Sequence, residues 1–81
     1  SWIAVAGQLH KAVLTQDTAL VSVLIDEYGV DVNEVENGET AVDVALRLPN
    51  SQVVDLLTQR GGLPFAVLEK ARPKRPRLAL E

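Results

Sequence analysis

His10 is the single imidazole in 81 residues, and the chain has no cysteine. A general base needs a nucleophile or acid within hydrogen-bond reach, and a metal site needs a second His or a Cys at ligand spacing. The stretch "QLHKAV" offers neither, so His10 reads as structural, and no cofactor or metal is expected. Carboxylates are more abundant: Asp17, Asp26, Glu27, Asp31, Glu34, Glu36, Glu39 and Asp43 lie between Ala12 and Leu46, a span without Lys or Arg. Glu34 with Glu36, and Glu39 with Asp43, have the residue types of a carboxylate pair or a cation site. A calcium loop, however, requires Asp, Asn and Glu at set positions over about twelve residues. "DVNEVENGETAV" imitates that only loosely, which leaves a solvated or a partner-contacting acidic face. Gly61-Gly62 is followed by Leu-Pro, with no Lys-Ser or Lys-Thr, so it does not make a phosphate-binding loop. These exclusions point to a non-enzymatic protein.

The second charged feature is the C-terminal stretch "KARPKRPRLAL". Lys74, Arg75 and Arg77 around Pro76 resemble a short basic nuclear-import motif, and a linker is the plainer reading. Residues 1–69 carry three basic and ten acidic side chains, residues 70–81 five basic and one acidic. Nucleic acid is therefore not the expected partner. With 47% hydrophobic residues but one Trp, one Tyr and one Phe, the core must be assembled from Val, Leu, Ala and Ile. Apolar runs such as "ALVSVLI" are too short to cross a bilayer, which needs about 20 residues. An intracellular location, cytoplasmic or nuclear, with no membrane partner, is the expectation.

The elements that would position these groups repeat. Displaced by 33 residues, Leu9 falls on Val42, Ala12 on Ala45, Val13 on Leu46, Val21 on Val54, Leu24 on Leu57 and Gly29 on Gly62 without a gap. Asp17-Thr18 and Asn50-Ser51 precede apolar stripes, where a side-chain oxygen caps a helix start. Gly29 and Gly62 follow those stripes and suit the left-handed turn that ends a helix. Between the units "VDVNEVENGET" carries β-forming valines, the tight-turn dipeptide Asn37-Gly38, and Thr40 with Asp43 at capping-box spacing.

A 33-residue unit of hairpin, helix, loop and helix resembles the ankyrin repeat. Gly38, Thr40, Val42 and Ala45 match part of its Gly-x-Thr-Pro-Leu-His-x-Ala-Ala half, and Val53-Val54, Leu56-Leu57 and the following glycines match its second half. Ala41, Asp43, Leu46, Pro49 and Val35 depart from the pattern, and the first unit has Val5-Ala6-Gly7 in place of Gly-x-Thr. The resemblance covers roughly residues 5–63. It implies a mostly α fold: a short ankyrin-like stack of helix-loop-helix units, one β-hairpin-like connection and a C-terminal capping helix. The expected boundaries are repeat 1 at about 1–33, repeat 2 at about 34–63, a cap at about 64–71 and a basic, Pro-containing tail at 72–81.

The resemblance further implies a protein-interaction module, an adaptor or scaffold within a larger chain, that binds a protein or peptide through its hairpin tip and first-helix edge. Those positions are Glu34, Glu36, Asn37, Glu39, Asp43 and Arg47, an acidic set suited to a basic partner. It also implies a local hydrogen bond for His10. An alternative expectation is a homodimer formed by apolar end faces, with Trp2, Ile3, Phe65 and Leu68 as the contact residues.

Overall fold

The computed structural model describes residues 7–49 and 52–71. Five helices follow in order: α1 (Gln8–Leu14), α2 (Thr18–Asp26), α3 (Ala41–Leu46), α4 (Gln52–Gln59) and α5 (Phe65–Ala71). The 33-residue register is kept in space, because it separates the start of α1 from that of α3 and the end of α2 from that of α4. Within each unit two helices pack together, α1 on α2 and α3 on α4. Between units α1 lies against α3 and α2 against α4, giving two layers. Helices of six to nine residues are not stable alone, so they exist because this packing buries their apolar faces.

The buried core is Leu9, Ala12 and Val13 of α1, Val21 and Leu24 of α2, Ala41, Val42, Val44 and Ala45 of α3, and Val53 and Leu57 of α4. Each fully buried Val or Leu contributes about 1.5–3 kcal/mol. Alanine at positions 12, 41 and 45 lets neighbouring backbones approach closely.

Local chemistry fixes the helix ends. The Asp17 carboxylate accepts from the Leu20 amide at 3.0 Å and so opens α2. Gly29, at φ 69°, closes that unit, and the Val30 amide then donates to the Leu24 carbonyl at 3.0 Å. In the second unit the left-handed position is Gly61, at φ 87°, and not the expected Gly62. Gly62 is glycine for a different reason. A Cβ there would lie 2.8 Å from the Leu57 carbonyl oxygen and 2.9 Å from Val42 Cγ2.

The connection between units is the expected hairpin-like finger, closed by a single bridge. Its valines form no strand among the described residues; Val30 and Val32 pack on the core, and Val35 is exposed. An isolated antiparallel bridge pairs Glu36 with Glu39, the two residues exchanging backbone hydrogen bonds of 2.9 and 3.1 Å. Asn37 and Gly38 turn the chain at φ 54° and 77°, the left-handed pair that a two-residue turn of this hand requires. At the far end α5 follows Pro64, as expected for a cap. Phe65 and Leu68 are half-buried on it, Val67 is exposed, and no residue of α5 is fully buried.

Among the described residues no helix is long and apolar enough to cross a membrane. Trp2 and Ile3, the Asn50-Ser51 cap and the basic residues Lys74, Arg75 and Arg77 lie outside the described residues.

Candidate functional site: the acidic finger

The finger runs from Val30 to Thr40 and delivers its acids to the N-terminal ends of α1 and α3. Thr40 anchors its base. The buried Thr40 hydroxyl accepts from the Asp43 amide, while the Asp43 carboxylate accepts from the Thr40 amide at 2.9 Å, completing a capping box. The same carboxylate oxygen accepts from the Phe65 amide at 2.9 Å, so one side chain ties α3 to the start of α5. Thr40 Oγ1 also lies 2.7 Å from the Leu63 carbonyl oxygen, to which it can donate. Burial alone would raise the Asp43 pKa. Hydrogen bonds from the Thr40 amide, the Phe65 amide and the Thr40 hydroxyl, with the nearby His10, outweigh it and hold the carboxyl below its usual range.

His10 reaches the finger from the other unit. Its ring is almost fully buried, and Nε2 lies 2.9 Å from the Glu39 carbonyl oxygen. A carbonyl only accepts, so Nε2 carries hydrogen and donates. The bond spans 29 residues and joins unit one to the finger of unit two, whereas a local turn-organising bond is what the resemblance implies. Nδ1 faces Glu34 Oε1 at 3.9 Å, too far for a hydrogen bond, and both atoms are buried without a partner. Burial pushes the Glu34 carboxyl above its ordinary value; Glu36 and Asp31 push the same way, and His10 opposes.

The remaining acids of the finger divide similarly. Glu39 pairs with Arg47 on the surface of α3. Glu36 is exposed, yet its carboxylate rests over Gly7, where a Cβ would sit 2.6 Å from Oε2. Gly7 precedes α1 at φ 76° with no side-chain cap, so a carboxylate beside this helix start is favourably placed. Asp31 Oδ1 accepts from the Asn33 amide at 2.9 Å. Of the six anticipated positions, Glu36, Asn37 and Arg47 are exposed, and Glu34, Glu39 and Asp43 are half-buried. Asp43 and Glu34 are turned inward, and Glu36, Asn37, Glu39 and Arg47 remain reachable.

Two tethers between units were not visible in the sequence motifs. The Asn33 side chain donates to the Gly61 carbonyl at 3.0 Å and accepts from the Leu63 amide at 2.8 Å. The Arg60 guanidinium forms two hydrogen bonds of 2.9 Å to the Asp26 carboxylate, lowering the Asp26 pKa and raising that of Arg60. The tendency of Asn to bond backbone in loops was the available signal for the first. A shallow groove of about 350 Å³ between α2 and α4 is lined by Thr18, Ala19, Ser22, Gln52 and Leu56. It holds no titratable side chain and suggests no chemistry.

The chain is 39% identical over 57 residues to the transient receptor potential cation channel subfamily A member 1 of Homo sapiens. That match takes in 69% of this chain and 5% of the channel, so the chain spans about one twentieth of the relative it resembles. No family model matches the chain, and no solved structure matches it. The two helix-loop-helix units in a 33-residue register make a short helical repeat stack, and this partial likeness weakly suggests repeats of the ankyrin-like kind.

Proposed function

We propose that this chain is a non-enzymatic protein-interaction module of the ankyrin-repeat type, one segment of a larger multidomain protein. It binds a basic protein or peptide segment at the finger tip. The observation that carries this reading is the tip itself. The Glu36–Glu39 backbone bonds and the left-handed Asn37-Gly38 pair hold a turn that leaves Glu36 and Asn37 exposed beside the Glu39–Arg47 pair. A partner's guanidinium or ammonium groups meet Glu36 directly and compete with Arg47 for Glu39. Likeness to a short piece of a very long channel protein suits a module within a larger assembly.

The test is calorimetric titration of the chain with a short Arg- and Lys-rich peptide at low and moderate salt. Glu36→Lys is compared with Asp55→Lys, an identical charge change on exposed α4 away from the finger. The expected result is at least a tenfold weakening by Glu36→Lys and little change from Asp55→Lys, with affinity falling as salt rises. Equal losses in the two variants would mean that net charge alone attracts the peptide, and the finger would lose its assignment.

A further inference from the structure

The finger tip is a reactive pair as well as a turn. Asn37 and Gly38 are exposed, and a Cβ on Gly38 would meet nothing within 4 Å. The amides that close the turn are those of Glu36 and Glu39, each donating to the other's carbonyl oxygen. The Gly38 amide donates to no acceptor among the described residues. A backbone nitrogen one residue after an asparagine can attack the side-chain carbonyl carbon and close a five-membered ring. Glycine obstructs that attack least, because it has no Cβ and the widest backbone freedom. Asn33 provides the contrast. The nitrogen that would attack it is the Glu34 amide, which donates to the Asp31 carbonyl at 3.0 Å. The half-buried Asn33 side chain is held at both ends, by the Gly61 carbonyl at 3.0 Å and the Leu63 amide at 2.8 Å. One asparagine is thus held away from cyclisation, and the other is left open to it.

We infer that Asn37 is a site of spontaneous deamidation, a covalent modification of the finger tip that uses water and needs no enzyme. The Gly38 nitrogen gives its proton to hydroxide or water and bonds to Asn37 Cγ. The bond from Cγ to Nδ2 breaks, and the side-chain amide takes up a proton and leaves as ammonia. Water then opens the succinimide ring at one of its two carbonyl carbons. Opening at Cγ restores the original backbone with an aspartate, whereas opening at the main-chain carbonyl leaves an isoaspartate. No electrons are exchanged with any other group. Ring closure requires rotation about Asn37 and therefore an open turn. That opening is local, because a single bridge closes the turn and no strand ladder lies behind it among the described residues.

The two products act differently on the finger. Asp-Gly fills a left-handed two-residue turn as Asn-Gly does, so the aspartate keeps the bridge and adds a charge beside Glu36 and Glu39. Isoaspartate routes the main chain through an extra carbon, and the turn no longer sets Glu36 opposite Glu39. The chemistry does not depend on the finger tip having a partner, so failure of the recognition reading leaves it standing.

The experiment is incubation of the full chain in mildly alkaline buffer, folded and in guanidinium chloride, followed by peptide mapping with mass spectrometry. Electron-transfer fragmentation distinguishes isoaspartate from aspartate. The expected result is conversion at position 37 in the folded chain, with isoaspartate among the products and Asn33 retained. Breaking two backbone hydrogen bonds, each about a tenfold factor, slows the folded chain by at most about a hundredfold relative to the unfolded one. Slower conversion than that overturns the inference, because the fold would then protect Asn37. So does conversion of Asn33 in the folded chain at the same rate as Asn37. A second readout follows the turn itself. The isoaspartyl form, separated by ion exchange, is expected to lose hydrogen-exchange protection at the Glu36 and Glu39 amides, whereas an Asn37→Asp chain keeps it. Protection retained in the isoaspartyl form would overturn the assigned effect on the finger.

Discussion

His10 Nδ1 and Glu34 Oε1 stand 3.9 Å apart, both buried and neither hydrogen-bonded. With Nε2–H committed to the Glu39 carbonyl, the other ring nitrogen, Nδ1, faces the Glu34 carboxyl. This contact lies between α1 and the finger.

Glu34→Gln is expected to stabilise the chain at neutral pH. The glutamine amide carries no charge to desolvate. The gain is about 1 kcal/mol, equivalent to about 4–8 °C in the melting temperature of a domain this size. The sign follows from the raised Glu34 pKa: its contribution to stability is complete below the ordinary value of 4.5 and is lost as pH rises through the folded-state value. The advantage of the variant should therefore grow from pH 4 to pH 7 in thermal melts. A variant less stable than the parent at pH 7 would show that a charged pair holds this contact.

Asp43 acts in the opposite sense. Its carboxyl is held below the ordinary value of 3.8, so the stability it provides is present above that value and is lost as pH falls through the folded-state value. Asp43→Ala removes the acceptor for both the Thr40 and Phe65 amides, and a loss of about 1–3 kcal/mol in urea unfolding is expected. A loss of a few tenths would mean that water replaces both bonds.

The adjacent glycines should respond differently to alanine. At Gly62 the new Cβ meets the Leu57 backbone and Val42, for an expected cost of about 1–3 kcal/mol. At Gly61 nothing lies within 4 Å of it, and the cost is that of the left-handed backbone, about 1 kcal/mol. Denaturant midpoints order the two variants, and a reversed order would contradict the assigned roles.

The Asp26–Arg60 pair is a surface link between units, well formed but open to solvent. Arg60→Gln should lower the melting temperature slightly at low salt, with the difference shrinking as salt screens the pair. A salt-independent loss would instead indicate packing of the arginine stem.

Features governed by local chemistry were legible before the structure. The 33-residue register, the Asp17 cap, the Thr40–Asp43 box and the Asn37-Gly38 turn each depend on residues within four positions of one another, or on a period that survives divergence. Gly62 was misread because two neighbouring glycines satisfy the same pattern, and only the approach of Leu57 and Val42 separates their roles. The valines of the finger suggested strands, but Val30 and Val32 gain more by packing on the core. The exposure of Leu46 could not be read from its match to buried Val13, because periodicity gives equivalence between units and not the cover each position receives. The inward turn of Glu34 and Asp43 was hidden for a related reason. Their counterparts, His10 and the Phe65 amide, are 24 and 22 residues away.

The most direct test of finger-tip recognition is amide-resolved NMR titration of the chain with a short Arg- and Lys-rich peptide. The account predicts shift changes concentrated at residues 36–39 and at Arg47, diminishing as salt is raised. Shift changes centred on the α2 and α4 surface, or spread evenly over the acidic residues, would contradict it.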